Sequence, residues 1–443
     1  MKTPIVDFCR KYSSQNVIRA HMPGHKGVGS NGEGVDLTEI NGADSLYTAD
    51  GIIKESENNA SSLFSCPTFY STEGSSQCIR AMLHLISTYA KKTGRPLKVC
   101  AGRNVHRSFA SACALLDLEV IWHYGKDSRG ILGCDYDINE LKKLFESENK
   151  PVALYVTSPD YLGNVAPIKE LSELCHDNGV LLVVDNAHGA YLKFMPTDTH
   201  PITLGADLCC DSAHKTLPVL TGGAYLHVSA SAPEVFVSEA KNALALFGST
   251  SPSYLILQSL DRCNSYLEGL NDRLSTLVTR IDELKCRLTE QGYVLAGEEA
   301  LKITVLSKFY GYRGEDFADI CEKNGLYLEF ADPDHAVLML TDENREDLNK
   351  IAEILLSIPK REPINESMPI ITPPVSVMSI REATLSPSKT VKACDSVGMI
   401  ATALTVGCPP AVPIVVSGEI ITENAVKAFE YYGIKTVSVL DCN

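Results

Sequence analysis

The amino-acid sequence predicts an α/β protein with a mostly parallel central sheet. From about residue 60 to residue 230, short apolar runs rich in β-branched residues alternate with segments of helical periodicity. The runs are apolar throughout, which is typical of parallel strands that helices cover on both faces. Ligands of such sheets bind beyond the carboxyl ends of the strands, so we expect the functional residues in the loops that follow them.

Six runs are predicted as strands, and four segments between them are predicted as helices. The strands are LKVCA (97–101), EVIWHY (119–124), VALYVT (152–157), VLLVVD (180–185), DLCCD (207–211) and GAYLHV (223–228). The helices are 75–92, 105–116, 139–146 and 168–178.

With 443 residues, the chain is long enough for several structural units. We expect a Gly-rich, loop-like N-terminal arm at 1–50 and a large domain with the alternating pattern at 51–260. A long helical segment then leads into a small α/β domain at 261–360. The Pro-rich stretch from 358 to 375 is predicted to link it to a C-terminal domain within 361–443.

Composition narrows the class of protein. The net charge of −15 disfavours partners such as nucleic acid and anionic membranes, because the field of the whole protein would repel both. The N-terminal segment lacks the apolar core of a signal peptide, and no apolar run is long enough to span a bilayer, so we expect a cytoplasmic protein. Fifteen cysteines without any C-x-x-C pair are typical of buried thiols rather than disulfides or a zinc site.

Small polar residues open the first predicted helix. The segment STEGSSQ places Gly74, Ser75 and Ser76 at the helix N-terminus, where backbone N–H groups, the helix dipole and hydroxyls can hold a phosphate. A serine there is also an ordinary N-cap residue. The segment alone therefore leaves both interpretations open.

Two further strand ends carry residues able to do chemistry. Asp185 ends one strand and is followed by His188, so the two could be metal ligands, or Asp185 could pair with a protonated ring nitrogen or cap a turn. After the next strand, DSAHK supplies Ser212, His214 and Lys215. An ε-amine that is desolvated near positive charge becomes nucleophilic, which a Schiff-base lysine requires, whereas a lysine at random is usually on the surface.

His106 at the start of another predicted helix could stack on an aromatic ring. Together these residues offer a phosphate cradle, a ring stacker, an acid for a pyridine nitrogen and an amine for an aldehyde. Such a combination meets the requirements of pyridoxal 5′-phosphate (PLP).

The same segments resemble a known family. HMPGHKG, DLTEINGADSL, SCPTFYSTEGSSQ, RNVHRS, SPDYLG, DNAHGAY, DSAHKTLPVLTGGAYL, STSPSYLILQSLD and PPAVPIVVSGEIIT occur in the order found in the Orn/Lys/Arg decarboxylases of PLP fold type I. The resemblance covers nearly the whole chain and is strongest to the short, Gram-positive-type members. It implies a PLP-dependent decarboxylase that converts arginine, lysine or ornithine to an amine of polyamine metabolism.

The resemblance also implies roles for individual residues. Lys215 would bind the PLP aldehyde, Asp185 would keep the pyridine nitrogen protonated, and His106 would stack on the ring. His188 would lie near the ring and the substrate, and His214 or Lys215 would return a proton to Cα. The residues expected around the phosphate are Gly74, Ser75, Ser76, Ser212 and His214, with Ser249 or Thr250 from the neighbouring subunit of a homodimer.

Substrate recognition is less closely determined. By resemblance, Glu419 is the candidate for binding the basic end of the substrate. Tyr161 is a second substrate-binding candidate, in a segment that departs from the Tyr-Tyr-Gly of many short members. One alternative is an aminotransferase or β-lyase, for which Arg381 could grip an α-carboxylate. Others are a PLP- or polyamine-binding regulator and a metal hydrolase using His21 and His25 with Asp185 and His188, although Pro23 and Gly24 preclude the helix that such a histidine pair needs.

Overall fold

The computed structural model describes residues 1–125, 132–369, 373–403 and 412–441, which form a mixed α/β fold with a mostly parallel central sheet. The predicted fold class is therefore confirmed. The chain divides into two units, of which the first comprises Met1–Gly94 and Leu181–Leu274 and the second comprises Arg95–Val180 and Ser275–Asn443. The division into four parts at residues 50, 260 and 360 stays a prediction.

The helices and strands are numbered in chain order. The helices of the described residues are α1 (Pro4–Ser13), α2 (Ile52–Phe64), α3 (Ser75–Thr93), α4 (Arg107–Leu116), α5 (Ile138–Phe145), α6 (Ile168–Asp177), α7 (Ala213–Thr216), α8 (Glu234–Ala245), α9 (Tyr254–Leu267), α10 (Leu270–Glu290), α11 (Gly314–Lys323), α12 (Leu348–Ser357), α13 (Ile380–Leu385) and α14 (Glu423–Tyr431). The strands are β1 (Thr68–Ser71), β2 (Lys98–Gly102), β3 (Glu119–His123), β4 (Ala153–Thr157), β5 (Leu181–Asp185), β6 (Leu208–Asp211), β7 (Ala224–Val228), β8 (Leu295–Ala296), β9 (Lys302–Leu306), β10 (Phe330–Ala331), β11 (His335–Met339), β12 (Ser388–Lys392) and β13 (Thr436–Leu440).

In the first unit, four strands lie side by side in the order β1, β7, β6, β5. Strands β5 and β6 are parallel, with Asp185 opposite Cys210. Strand β7 runs antiparallel to both β6 and β1, so that His227 lies between Cys209 on one side and Thr68 on the other. This register brings the ends of β5 and β6 together and places the loops after them at one edge.

In the second unit, β2 lies between β3 and β4 and is parallel to both. A separate antiparallel sheet has the order β10, β11, β9, β8, and β12 pairs with β13. The apolar segment 412–415, in the middle of the PPAVPIVVSGEIIT motif, packs with α14 and β13 in a buried cluster. The first three residues of that motif lie outside the described ranges.

The six predicted strands and four predicted helices are all present, with ends that differ from the prediction by one or two residues. The elements that were not predicted include β1, α1, α2 and α8. Strand β1 is only four residues long, and α1 lies within the segment that we expected to be loop-like. In α1, Pro4 occupies a first-turn position where proline is favourable, and Ile5, Val6 and Cys9 form its buried face.

The described cysteines occur as free thiols, as the composition predicts. None of the thirteen cysteines in the described ranges forms a disulfide, and ten of them are buried, as predicted. Within those ranges, no helix has the length and apolar character needed to cross a membrane.

A buried carboxylate holds α1 in place. Asp261 on α9 is fully buried, and its Oδ2 accepts hydrogen bonds from the backbone N–H groups of Ile5 (2.9 Å) and Val6 (3.0 Å). Its Oδ1 accepts a hydrogen bond of 2.6 Å from the Ser56 hydroxyl. Burial raises the pKa of Asp261 to about 6, although these hydrogen bonds partly oppose the shift.

The raised pKa makes the stability of the first unit depend on pH. Relative to an unfolded value of about 3.9, the folded protein binds the proton more tightly, so the contribution of Asp261 is complete at low pH. That contribution is lost as the pH rises from about 4 to about 6. We expect the Asp261→Asn variant to gain stability relative to wild type over this interval, measured by urea denaturation at several pH values. The same change at the exposed Asp7 of α1 is the control, and a pH-independent difference for Asp261→Asn would contradict the assignment.

Candidate functional site

The start of α3 forms the predicted phosphate cradle. Gly74, with a φ of 73°, is the N-cap residue and provides no side-chain cap, and its N–H donates to the carbonyl oxygen of Gly222 (2.7 Å). The Ser212 hydroxyl donates to the Ser75 hydroxyl at 2.7 Å. Ser76 is the second residue of the helix. Two serines from distant segments therefore meet at a helix N-terminus, where an anion is favoured.

Gly222 makes this arrangement possible. Its φ is 98°, and a Cβ at this position would lie 2.9 Å from the carbonyl oxygen of Thr72. Only glycine meets both conditions without strain. The turn before β7 can therefore lie directly against the loop that leads into α3.

Lys215 and His188 are in contact. Lys215 lies on the single-turn helix α7, and its Nζ is 3.0 Å from Nε2 of His188, which follows β5 and is buried. The structure thus brings together two predicted catalytic residues that are 27 positions apart. The distance between the two nitrogen atoms is that of a hydrogen bond.

His214 has a defined tautomer. Its Nδ1 lies 3.0 Å from the carbonyl oxygen of Gly223, and since a carbonyl only accepts, Nδ1 carries the hydrogen. Burial lowers the pKa of His214, and the charge of Lys215 lowers it further, although the hydrogen bond to Gly223 acts in the opposite direction. His214 is therefore neutral at neutral pH, with Nε2 able to take up a proton.

Asp185 ends β5 inside the first unit. It is 2% exposed, and its Oδ1 accepts hydrogen bonds from the backbone N–H of Ala187 (3.2 Å) and the thiol of Cys210 (3.6 Å). A carboxylate in this position can pair with a buried cation such as a protonated ring nitrogen.

The metal-hydrolase alternative does not match the observed clusters. In the described ranges, the groups close enough to hold a metal ion are His200 with Cys209 and Asp211, and Asp332 with Asp334 and His335. Neither group includes the four residues of that alternative. The ring nitrogen atoms of the two N-terminal histidines lie instead against Tyr12 (2.7 Å from His21) and Asp36 (3.1 Å from His25).

Ser249 and Thr250 lie on the surface of the first unit. The N–H of Ser249 donates to the carboxylate of Glu73, which immediately precedes the phosphate cradle of its own chain. The role of these two residues in a neighbouring subunit stays a prediction.

His106 and Tyr161 belong to the second unit. His106 is the N-cap residue of α4, where its Nδ1 accepts a hydrogen bond from the N–H of Ser108 (3.2 Å). Tyr161 is partly buried and packs against the hydrophobic cluster, with its ring centroid 6.5 Å from that of Phe330. Their roles toward cofactor and substrate stay predictions.

Glu419 is part of a buried ion pair. It is 1% exposed, and its two carboxylate oxygens accept hydrogen bonds from Nη1 (2.9 Å) and Nη2 (2.7 Å) of Arg103. A third hydrogen bond of 2.7 Å comes from the N–H of Val416. The guanidinium group of Arg103 also lies over the ring of Trp122, 4.7 Å from its centroid. Glu419 is thus a buried, paired carboxylate and not a solvated loop residue.

We expect Glu419→Ala to lower the free energy of unfolding by about 3 kcal/mol or more, because it leaves the Arg103 guanidinium buried without its carboxylate. Urea denaturation without cofactor or substrate measures this effect. Glu430→Ala, an exposed glutamate on α14, is the control and should change stability by less than about 0.5 kcal/mol. A Glu419 variant as stable as this control would show that the ion pair contributes little.

Arg381 has a structural role. Its Nη1 donates to the carbonyl oxygens of Ala114 and Leu115, both at 3.0 Å, at the C-terminal end of α4. This arrangement satisfies carbonyl groups that a helix end leaves unpaired. It gives the aminotransferase alternative less support.

The sequence interpretation missed Arg103 and a buried polar network. Arg103 directly follows β2, and a charged residue after a buried strand is a signal that could have identified it. The buried polar network surrounds Asp211. Its histidines, His200 and His227, carry no local motif, and Asp211 precedes the predicted phosphate residue Ser212.

Comparisons with known proteins identify the family of the chain. Residues 3–308 match the family model for the Orn/Lys/Arg decarboxylase major domain. Two similar proteins are described as arginine decarboxylases. The one from Halalkalibacterium halodurans is 27% identical over 96% of this chain and 92% of its own, and the one from Bacillus anthracis is 28% identical over 96% and 91%. Among solved structures, lysine decarboxylase A from Pseudomonas aeruginosa has a TM-score of 0.81 at 17% identity, covering 99% of this chain and 80% of that chain, a likeness of fold.

Proposed function

The chain belongs to the Orn/Lys/Arg decarboxylase family and is a PLP-dependent amino acid decarboxylase, and we propose that it converts L-arginine to agmatine and CO₂. The preference for arginine over lysine or ornithine is supported by relatives described as arginine decarboxylases that match nearly the whole chain. A basic amino acid as substrate is common to the family. We also propose that the product enters polyamine metabolism in the cytoplasm.

The first unit has the groups that PLP needs. The paired hydroxyls of Ser75 and Ser212 at the start of α3 fit a phosphate, and a Cβ at Gly74 would meet no atom closer than 3.9 Å, so the cradle has room. Asp185 would hold the ring nitrogen, and Lys215 would bind the aldehyde. When bound, the protonated pyridine ring of PLP accepts the electron pair that the departing carboxylate leaves at Cα.

Protein side chains then control protons. The buried carboxylate of Asp185 would keep the ring nitrogen protonated, since a charged pair in a low-dielectric site is stronger than in water. The hydrogen bond between Nζ of Lys215 and Nε2 of His188 supports a proton transfer to Cα once CO₂ has left. His214, neutral and protonated on Nδ1, would take up a proton on Nε2 beside the phosphate anion.

Two residues are our candidates for recognition of the substrate side chain. Glu419 and Tyr161 stay our candidates for contact with the guanidinium group of the substrate. Since both oxygens of Glu419 already accept hydrogen bonds from Arg103, the substrate would have to share this carboxylate with Arg103. Planar, bidentate pairing is the geometry by which a carboxylate distinguishes guanidinium from ammonium.

The proposal is tested with purified, PLP-loaded protein and arginine, lysine or ornithine in separate incubations. We expect agmatine from arginine, identified by mass spectrometry, and faster turnover than for the other two substrates. Lys215→Ala should lose the visible absorbance band of lysine-bound PLP and all activity, whereas the exposed Lys92→Ala should keep both. Cadaverine or putrescine as the main product would contradict arginine, and a keto acid would favour the aminotransferase alternative.

A homodimer with shared sites is the assembly that we propose. The exposed positions of Ser249 and Thr250 support their reaching a partner's phosphate site. Co-expression of Lys215→Ala subunits with Ser249→Ala/Thr250→Ala subunits tests this proposal. If the residues act across the interface, each mixed dimer has one site that carries neither change. With random pairing about half of the dimers are mixed, so activity should recover to about a quarter of wild type. No recovery above the two separate variants would mean that these residues act in their own chain.

A further inference from the structure

A row of polar side chains crosses the buried sheet of the first unit. Thr68, His227 and Cys209 are direct neighbours on β1, β7 and β6, and therefore share one face of the sheet. Asp211 lies two residues beyond Cys209 and lies on the same face. His227, Cys209 and Asp211 have no exposed surface. Polar groups at this depth require partners, because burying them unpaired is costly.

The carboxylate of Asp211 accepts four hydrogen bonds. Its Oδ2 lies 3.1 Å from Nε2 of His200 and 3.0 Å from Nε2 of His227. Its Oδ1 accepts from Nδ2 of Asn186 (2.7 Å) and from the thiol of Cys209 (3.7 Å). A carboxylate offers about four lone-pair sites, so Asp211 is saturated.

The histidine tautomers argue against a metal ion at this cluster, although the atoms are close enough to hold one. Nδ1 of His200 accepts the N–H of Ile202 (3.3 Å), so its hydrogen is on Nε2 and is directed at Asp211. Nε2 of His227 is 3.0 Å from the carboxylate of Asp211, which only accepts when ionised, so this nitrogen also carries a hydrogen. A nitrogen that carries a hydrogen cannot ligate a metal.

Asp211 is therefore a buried anion that its neighbours stabilise. Burial alone would raise the pKa of Asp211, but His200 and His227 together hold it below its ordinary value. Burial lowers the pKa of His227 despite the nearby carboxylate, so this ring is neutral. Four hydrogen-bond donors thus stabilise the ionised carboxylate of Asp211.

We propose that Asp211 is the positioning residue for the PLP site, acting through its hydrogen bond to Asn186. Asn186 directly follows Asp185 and precedes Ala187, whose N–H binds the Asp185 carboxylate. Asp211 itself directly precedes Ser212. The Asn186–Asp211 hydrogen bond thus ties together the strand ends that present the acid for the ring nitrogen and one serine of the phosphate cradle. The inference rests on PLP being the cofactor.

Gly189 supports a fixed position for the Asn186 side chain. A Cβ at residue 189 would lie 2.1 Å from Oδ1 of Asn186, so the amide occupies space that any other residue type would fill. The backbone N–H of Gly189 also donates to the carbonyl oxygen of Asn186 (2.8 Å). The glycine of DNAHGAY is thereby explained by the need to pack Asn186 toward Asp211.

A charge-swap experiment tests the proposal through the dissociation constant of PLP, titrated into the apoprotein. Asn186→Asp places a second carboxylate at the 2.7 Å contact, so we expect PLP affinity to fall by about tenfold or more. Adding Asp211→Asn should restore most of the affinity. The new amide can donate through Nδ2 to the carboxylate introduced at position 186, while its oxygen still accepts from both histidines. If Asn186 and Asp211 only support the fold, Asn186→Asp should lower stability, and adding Asp211→Asn should not restore the affinity for PLP.

The control is Asp261→Asn, since Asp261 is an equally buried carboxylate of the first unit that contacts α1 rather than the strand ends. It should leave PLP affinity within about twofold of wild type. If circular dichroism shows that Asn186→Asp does not fold, Asn186→Ala removes the link without adding charge and should also weaken PLP binding. A folded Asn186 variant that binds PLP as tightly as wild type overturns the inference. Wild-type protein that fails to bind PLP would instead overturn the proposed cofactor.

Discussion

The hydrogen bond between Asn186 and Asp211 joins the ends of β5 and β6 on which the candidate cofactor residues depend. It is 2.7 Å long, fully buried, and made to an ionised carboxylate, and hydrogen bonds of this kind are stronger than neutral ones. The parallel register of β5 and β6 brings the two residues within reach. Asp185, Lys215 and Ser212 all lie within four residues of one of its ends, so a shift of either strand end would displace them together.

The first unit repeatedly uses buried carboxylates to organise backbone. Asp44 accepts five backbone N–H groups between residues 45 and 54, at 2.9 to 3.3 Å, and so determines the path of the chain into α2. Asp261 does the same for α1. Such groups contribute little net stability, because desolvating them is costly, but losing one partner leaves a charge without compensation. They therefore favour one arrangement of loops over its competitors, as a preorganised site requires.

Much of the fold and of the candidate cofactor site could be predicted, because both depend on residues that lie close together in the sequence. Strands β4 to β7 are buried throughout, so continuous apolar runs such as VLLVVD identify them. The segments DSAHK and TEGSSQ each hold several candidate site residues within a few positions. Strand β1 was missed because four residues carry too little periodicity, and α1 because it adjoins a Gly-rich segment. The partner of Glu419 could not be found in this way. Arg103 lies 316 positions away, and only the folded chain brings the two together.

The side chains of β6 alternate between the two faces of the sheet, so the candidate cofactor residue Asp185 and the network around Asp211 lie on opposite faces. Successive side chains of a strand point to opposite faces, so Cys210 lies with Asp185 while Cys209 and Asp211 lie on the other face with His227. One face of this short strand thereby lies with the candidate cofactor residue Asp185, and the other face carries the network around Asp211. A buried aspartate at position 211 is unfavourable unless donors surround it. Four donors reach it, from β6, β7, the loop before β6 and the residue that follows β5. Their geometry is satisfied only when the strand ends meet, so the cost of burying Asp211 constrains the position of the site.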